Sequence, residues 1–231
     1  ARDFNKMAEQ LESMWGAQKR LLADVSHELR SPLARLQMAL GLAHQQNVDP
    51  ATLSRVEREA DRMEALVSQL LTLSRAEAGE ANMQKHALSL VLNDVLTDAN
   101  FEVANKNKQL KIDDIPKKTV VIDSMMFCRA VENVLRNAIR HSKLVTHITF
   151  SEDAQHWCIH ITDDGDGLTI EECERIFSPF YRATLARERE SGGVGLGLSI
   201  AKAAVELHHG RIIAEPAERG GLRVTMSFPK L

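Results

Sequence analysis

The first 78 residues contain two long stretches that are poor in glycine and proline and carry one apolar stripe each. In residues 1–45 the glycines and prolines are Gly16, Pro32 and Gly41. The apolar residues there recur at close to heptad spacing, at Leu22, Val25, Leu29, Leu36, Ala39 and Ala43. Two such helices joined by a short loop predict an αα-hairpin with one apolar stripe per helix. Two hairpins would close a four-helix bundle, so the pattern predicts a homodimer.

The second helix is predicted from Ala51 to about Ala78. Asp49 followed by Pro50 is a good start signal, because aspartate caps helices and proline is favoured at the first helical position. Gly79 is a plausible stop signal. The apolar stripe of this helix is predicted to comprise Leu53, Val56, Ala60, Met63, Val67, Leu70 and Leu73 or Ser74.

Beyond Gly79 the pattern changes, which predicts a domain boundary near residues 79–86. Helices are predicted at about 90–104, 124–141 and 198–207, and strands at KIDDI, TVVID, VTHITFSED, HWCIHITDD, RIIAEP and LRVTMSF. Helices interleaved with mainly antiparallel strands indicate an α+β sandwich. The fold class is therefore multidomain, with an all-α hairpin in a dimeric bundle followed by an α+β domain.

Composition excludes several classes of protein. The net charge is −3 and the basic residues form no stripe, so nucleic acid is not expected as a partner. No apolar run approaches the roughly 18 residues of a membrane span, and no signal peptide is recognised. The chain begins within a helical pattern, which suggests a soluble, cytosolic piece of a longer protein. Its three cysteines form no CxxC pair and favour a reducing compartment over a disulfide frame or a zinc site.

Several pieces of the second domain carry chemistry. Asn133 and Asn137 lie four residues apart and so on one helix face, and an amide oxygen is a hard, neutral ligand suited to Mg²⁺. Asp163 ends a predicted strand before Gly165 and Gly167, where its carboxylate can accept the exocyclic amino group of adenine.

A second glycine cluster, GGVGLGL, comes just before a predicted helix, with glycines at 192, 193, 195 and 197. Glycine lets backbone N–H groups approach phosphates, and the N-terminus of a helix adds positive potential. Singly, a DGDG sequence is more often a turn, glycines cluster in loops for many reasons, and an asparagine pair on a helix is usually surface decoration. Their order and spacing within one domain favour a nucleotide site.

Residues from about 86 to the end resemble the ATP-binding domain of sensor histidine kinases, within the superfamily that includes gyrase, the Hsp90 chaperones and MutL. NVLRNAIRH resembles the N box, DDGDG the G1 box, IFSPFYR the F box and GGVGLGL the G2 box, in the order of the family. The resemblance implies ATP and Mg²⁺ as cofactors, with Asp163 on adenine and Asn137 on Mg²⁺.

The resemblance also implies a wider set of nucleotide-binding residues. The set is Asn133, Asn137, Arg140, His141, Asp163, Gly165, Gly167, Phe180, Arg182, Gly193, Gly195, Leu196 and Gly197. Residues from about 168 to 195 resemble the mobile lid of the family, which Phe177 and Phe180 would pack down when ATP is present. Plain core packing of these two phenylalanines is an equal alternative.

One position separates hydrolases from phosphotransferases in this superfamily. In the gyrase and MutL branches a glutamate stands four residues before the Mg²⁺-binding asparagine and activates water. Asn133 occupies that position here, and an amide cannot take a proton from water as a carboxylate does. Glu132 is one residue away, which rotates it about 100° off the asparagine face. The site is therefore predicted to hydrolyse ATP poorly and to pass the phosphoryl group to another acceptor.

The acceptor is predicted in the first domain. With Leu22 and Leu29 at heptad a positions, His27 falls at f and faces away from the helix seam. Alone, such a histidine is an ordinary surface residue, but beside an ATP domain without a hydrolytic glutamate it becomes a phosphoryl acceptor. SHELRSPL also resembles the H box of the dimerisation and phosphoacceptor domain of histidine kinases.

The catalytic residues follow from this H box. Neutral imidazole has one nitrogen free to attack the γ-phosphate, and Glu28 can accept the other N–H as positive charge develops. The resemblance implies attack by Nε2 of His27. Ser31 lies on the same face, where the family has a threonine or asparagine that positions water to dephosphorylate the partner regulator. Serine keeps the hydroxyl but loses the methyl group that restrains its rotamers.

The sequence thus predicts the cytoplasmic portion of a bacterial inner-membrane sensor histidine kinase. Residues 3–12 resemble the end of a HAMP linker, so the membrane would be reached only through a missing N-terminal portion. The predicted domains are a signalling helix (1–20), a dimerisation and phosphoacceptor domain (21–82) and an ATP-binding catalytic domain (83–231). Phosphorylated His27 would pass its phosphoryl group to an aspartate in the receiver domain of a response regulator, which the chain would also dephosphorylate.

Two other functions remain open from the sequence. A catalytically quiet dimer would bind ATP and signal by conformation alone. A gyrase- or chaperone-type ATPase would hydrolyse ATP, against the residue at position 133. The loop HQQNVDP leaves open both transfer within a subunit and transfer across the dimer.

Overall fold

The computed structural model of the chain has two compact units, residues 1–78 and residues 79–231. It describes residues 33, 34, 36–38, 40, 41, 50–77, 79, 81–179, 181–183, 195–218 and 220–230. Within these ranges, no helix combines the length and the apolar character that a membrane span requires.

Helix α1 (Pro50–Glu77) occupies most of the described part of the first unit. Leu53, Ala60 and Val67 are buried at seven-residue intervals along it, and Ser74 continues the row. This row confirms the centre of the predicted apolar stripe. Met63, which the same pattern includes, is 46% exposed because it lies at the edge of the row.

Residues just before α1 are also helical where they are described, at positions 33, 34, 36–38, 40 and 41. Leu33 and Leu40 are buried there, again seven residues apart. The side chain of Gln37 donates from Nε2 to Oε2 of Glu64 in α1, at 3.2 Å. The two helical segments therefore lie side by side, as the predicted hairpin requires.

The second unit contains seven strands and four helices in its described part. The strands are β1 (Gln84–Ala87), β2 (Gln109–Ile112), β3 (Thr119–Ile122), β4 (Val145–Glu152), β5 (His156–Asp163), β6 (Arg211–Pro216) and β7 (Leu222–Pro229). The helices are α2 (Leu88–Asn105), α3 (Ser124–His141), α4 (Ile170–Arg175) and α5 (Gly197–Leu207). Five strands form one sheet in the order β2-β4-β5-β7-β6, and β1 pairs with β3 in a separate ribbon.

The main sheet is antiparallel except at its β2 edge, where β2 runs parallel to β4. β4 pairs with β5 and β6 pairs with β7, both antiparallel, which confirms the expectation of mainly antiparallel strands. The strand predicted at KIDDI (residues 111–115) begins two residues earlier and ends three residues earlier, at Gln109–Ile112. Its parallel register with Val145–Ile148 sets those bounds, and the later residues lead into Pro116, which has no N–H to donate.

The core lies between the main sheet and its helices. Alternate residues of β5 (Trp157, Ile159, Ile161 and Asp163) are buried, which is the pattern of a strand covered on one face. Helix α3 packs against β5 and against its neighbours α2 and α5. Phe127 of α3 contacts Trp157, with ring centroids 5.9 Å apart, and Trp157 stacks on Phe228 at 4.6 Å. This packing fixes α3, which carries the N-box residues.

Candidate functional site

Helix α3 places the N-box residues at the edge of the core. The carboxylate of Asp123 caps its first turn, with Oδ1 accepting the N–H of Met126 at 3.0 Å. The opposite face of the helix is buried against the sheet and the other helices. Asn133 and Asn137 are half-buried beside that face, while Arg140 is exposed one turn further on. The amides and the guanidinium thus follow one another along the helix toward its C-terminal end.

Asn133 touches the start of helix α5. Its Nδ2 donates to the carbonyl of Arg129 at 2.8 Å, which fixes the orientation of the amide. A Cβ added to Gly197 would lie only 3.0 Å from Oδ1 of Asn133. The N box and the end of the second glycine cluster are therefore in direct contact, as the resemblance implies.

The N-terminus of α5 has no side-chain cap. Gly195, just before it, has φ of +83°, a conformation that glycine adopts without strain. Leu196 has its side chain buried in the core, so only its backbone can face a ligand. Uncapped N–H groups at the start of a helix bind anions well.

Asp163 lies at the end of β5, with only 5% of its surface exposed. Its Oδ1 accepts the N–H of Gly165 at 2.9 Å and that of Leu222 at 3.3 Å. Burial raises the pKa of the Asp163 carboxyl above its ordinary value, and the two backbone N–H groups oppose that shift. A buried carboxylate with donors on one oxygen can accept a further hydrogen bond from a bound base.

Glycines bring three segments close to Asp163. A Cβ on Gly165 would collide with the carbonyl oxygen of His141 and lie 2.8 Å from Oδ1 of Asp163. Gly221, with φ of +88°, has no room for a side chain against the backbone of Asp163. Gly167, with φ of +74°, packs in turn on the carbonyl of Gly221. The end of α3, the G1 box and the β6–β7 turn therefore meet around one carboxyl.

Arg140 and Arg182 share one electrostatic environment. Arg140 is exposed as a residue but its guanidinium is partly withdrawn from water, which lowers the pKa of that group; Glu102 raises the pKa, and Arg136 and Arg182 lower it further. Positive charge from the F-box segment thus reaches the end of α3. An anion bound near these guanidiniums would relieve their repulsion.

Eleven of the thirteen predicted nucleotide-binding residues are among the described residues. These are Asn133, Asn137, Arg140, His141, Asp163, Gly165, Gly167, Arg182, Gly195, Leu196 and Gly197. Phe177 is buried, as both packing of the lid and plain core packing require. Phe180, Gly193 and the H-box residues His27, Glu28 and Ser31 lie outside the described residues.

Sequence reasoning missed three residues of this site. For Gly221, the one signal in the sequence is that it forms a glycine pair with Gly220 just before the last strand. Asp164, the second aspartate of DDGDG, accepts the backbone N–H groups of Lys143, Leu144 and Val145. Lys108, which binds the C-terminal end of α3, had no signal in the sequence because its partners lie more than 30 residues away.

Gly165→Ala is expected to weaken ATP binding by at least about tenfold, because the added methyl group forces the carbonyl of His141 away from Asp163. The binding constant would be measured by calorimetry with a non-hydrolysable ATP analogue. Gly210→Ala is the matched control. Its methyl group would collide equally with the carbonyl of Ser227, at the other end of β7 from Leu222.

We expect Gly210→Ala to lower the melting temperature while its folded molecules bind ATP normally. An equal loss of affinity in both variants would mean that the close packing of Gly165 serves folding alone.

Two family models match the chain. Residues 17–79 match the His Kinase A (phospho-acceptor) domain. Residues 122–231 match the histidine kinase-, DNA gyrase B-, and HSP90-like ATPase family.

Curated relatives match along nearly the whole chain. Sensor histidine kinase CpxA of Escherichia coli K12 is 38% identical over 98% of this chain and 50% of its own length. Sensor histidine kinase MtrB of Mycobacterium tuberculosis H37Rv is 35% identical over 96% of this chain and 42% of its own length. The chain therefore spans half or less of the length of these curated relatives. The residues of the whole chain resemble a Cpx-type envelope-stress sensor kinase, and the identity to CpxA supports this resemblance.

Solved structures have the same fold. Full-length ShkA in complex with AMPPNP superposes with a TM-score of 0.76 at 19% identity, over 91% of this chain and 45% of that one. The histidine kinase AdeS of Acinetobacter baumannii gives a TM-score of 0.63 at 22% identity, over 88% of this chain and 97% of that one. The expected helical domain followed by an α+β domain is thereby confirmed.

Proposed function

The chain belongs to the sensor histidine kinases, and we propose that it transfers the γ-phosphoryl group of Mg-ATP to His27. The observation that carries the proposal is the meeting of α3, Asp163 and the N-terminus of α5 in the second unit. His27 lies within the region that matches a phospho-acceptor domain.

Each part of the site suits one part of Mg-ATP. The buried carboxylate of Asp163 suits the amino group of adenine. The uncapped start of α5, with Arg140 and Arg182, suits the phosphates. Asn137 offers a neutral amide oxygen at the half-buried edge of α3, a donor that fits Mg²⁺. When bound, Mg²⁺ would offset negative charge on the phosphates.

In the transfer step the protein has two tasks. It aligns His27 with the γ-phosphate, and it holds the proton on the other ring nitrogen of His27. The free nitrogen of His27 forms a bond to the γ-phosphorus as the bond from that phosphorus to the bridging oxygen breaks, and ADP leaves. Glu28 accepts a hydrogen bond from the N–H of the other ring nitrogen and stabilises the positive charge that develops on the ring. The product is a phosphoramidate, which can pass its phosphoryl group to an aspartate of a response-regulator receiver domain.

The surroundings of Glu132 favour transfer over hydrolysis. Its carboxylate pairs with Arg129 at 2.9 Å and with Arg136 at 2.8 Å, both along the surface of α3. A carboxylate engaged in two ion pairs on that surface is not free to approach a water molecule beside Asn137. Asn133 donates from Nδ2 to the carbonyl of Arg129, and its neutral amide cannot act as a base.

The remaining parts of the proposal concern the whole protein. The narrow apolar row of α1 supports assembly as a homodimer through a four-helix bundle. Ser31 would position water for dephosphorylation of the regulator. The resemblance of residues 3–12 to a HAMP linker supports a place on the cytoplasmic side of a bacterial inner membrane. The domain limits that we propose are those predicted above.

Incubation of the chain with Mg²⁺ and ATP labelled at the γ-phosphate tests the proposal. The expected product is labelled protein that survives alkali and loses its label in acid, with little free phosphate released. Nucleotide binding without label would favour the quiet conformational dimer. Rapid, multiple-turnover release of phosphate without a regulator would favour a gyrase-type ATPase.

A further inference from the structure

The C-terminal end of α3 is held by a lysine from a distant part of the chain. Lys108 donates from Nζ to the carbonyl oxygens of Ile139 at 2.7 Å, Arg140 at 3.3 Å and Ser142 at 2.6 Å. An ammonium group has three protons, so these carbonyls account for all of its donors. The last carbonyls of a helix lack partners within it and carry negative potential, which a cation stabilises.

The same turn is held from its other side by Asp164. The carboxylate accepts the N–H groups of Lys143 at 2.8 Å, Leu144 at 3.0 Å and Val145 at 3.1 Å. Residues 139–145, which we term the clamped turn, thus have carbonyls bound by a cation and N–H groups bound by an anion.

The backbone of Lys108 is itself fixed. Its N–H donates to the carbonyl of Val103 at 2.9 Å, and Asn107 before it has φ of +54°. The next residue, Gln109, donates to the carbonyl of Leu144 at 2.8 Å and begins the pairing of β2 with β4. The lysine therefore reaches the clamped turn from a backbone position that is fixed just before β2.

The clamped turn adjoins the nucleotide site. Its His141 carbonyl packs on Gly165, directly after the aspartate pair, and Asn137 and Arg140 lie on the last two turns of α3. A shift of the clamped turn would change the spacing between Asp163, proposed for adenine, and the α3 residues proposed for Mg²⁺ and phosphate.

We propose that Lys108 is a positioning residue for the nucleotide, which sets the affinity for Mg-ATP by holding the end of α3 against the Asp163–Gly165 segment. This inference rests on the proposed nucleotide site. Lys108 does not touch the nucleotide in this account. Burial lowers the pKa of the Lys108 ammonium, Lys106 lowers it further, and Asp164 and Asp163 oppose the shift, in keeping with a cation partly withdrawn from water.

The test compares Lys108→Met with Lys106→Met in the whole chain. Methionine keeps an unbranched stem of similar length and removes the three donors. Lys106 pairs only with Glu102 among the contacts described for its ammonium, at 2.6 Å on the surface of α2, so it controls for the loss of one positive charge. The dissociation constant for a Mg²⁺-bound, non-hydrolysable ATP analogue and the labelling rate at saturating ATP are both measured.

For Lys108→Met we expect the dissociation constant to rise by about tenfold and the labelling rate at saturating ATP to stay within about twofold. Lys106→Met should change neither quantity. Should Lys108→Met not fold, Lys108→Arg keeps a cation with different geometry and should show a smaller rise, of about threefold.

An unchanged dissociation constant in Lys108→Met, or an equal rise in Lys106→Met, would overturn the inference. A slower labelling rate at saturating ATP with unchanged binding would overturn it too, because Lys108 would then act in transfer. A wild-type chain that binds the analogue but never labels itself would refute the kinase proposal and leave this one intact. A wild-type chain that does not bind the analogue would refute both.

Discussion

His27→Gln is expected to abolish labelling of the chain by ATP while leaving nucleotide binding unchanged. Glutamine has about the size of histidine and keeps an amide nitrogen, but that nitrogen has no free lone pair with which to attack phosphorus. The nucleotide site belongs to the second unit, so its affinity for Mg-ATP should not depend on this residue. The measurement is labelling with γ-labelled ATP alongside calorimetry with a non-hydrolysable analogue.

His44→Gln is the matched control, because it removes an imidazole from the same phospho-acceptor region without touching the H box. It should label like the wild type. Full labelling of His27→Gln would place the phosphoryl group on another residue and refute the assignment of the H box.

Asp163→Asn is expected to weaken ATP binding by roughly a hundredfold, which corresponds to about 2.7 kcal/mol. The asparagine oxygen can keep the N–H groups of Gly165 and Leu222, but its NH₂ group then points toward the adenine site. The NH₂ group of the asparagine and the amino group of adenine, both donors, would then face each other. If the amide is rotated by half a turn, its NH₂ group instead faces the N–H of Gly165, which is also a donor. One acceptor is missing either way, so affinity and labelling should fall together.

The same variant should be at least as stable as the wild type at neutral pH. Because burial raises the folded-state pKa of Asp163 above 3.8, the folded protein favours the neutral carboxyl. The neutral Asp163 carboxyl therefore stabilises the folded wild type. This stabilisation is fully present below the unfolded-state pKa and is lost as the pH rises through the folded-state pKa. An amide has no charge to bury, so the wild type should lose stability across this window and the variant should not.

Thermal melting at several pH values checks this second expectation. A large loss of stability in Asp163→Asn at neutral pH would mean that the carboxylate is needed for folding. Weak ATP binding could not then be assigned to the adenine contact.

Much of the fold could be predicted from local patterns. Helix α3 has the predicted bounds, because Asp123 before it is a good cap and its apolar residues keep a helical period to the end. The strands β4 and β5 were predicted from alternation, which survives because one face of the sheet is buried. Strand β1 was not predicted, since its four residues are exposed or half-buried and pair only with β3.

Candidate site residues could be proposed where chemistry follows from residue type and order, and the roles of Asp163 and Asn137 stay predictions. Contacts between distant segments were not predictable, since no local pattern encodes them. Lys108 binds carbonyls that lie 31 to 34 residues further along the chain. Gly221 approaches Asp163 only because β7 pairs with β5. The exposure of Met63 likewise depends on what the hairpin packs against, which the stripe alone does not specify.

The most direct test of the account is to locate the phosphoryl group. The chain is incubated with Mg-ATP, digested at alkaline pH to preserve phosphoramidates, and its peptides are sequenced by mass spectrometry. We expect one modified residue, His27, and far less modification in the Asp163→Asn variant when ATP is kept near the wild-type dissociation constant. A phosphoryl group on Ser31 or on another histidine, or wild-type modification of His27 in Asp163→Asn at that ATP concentration, would contradict this expectation.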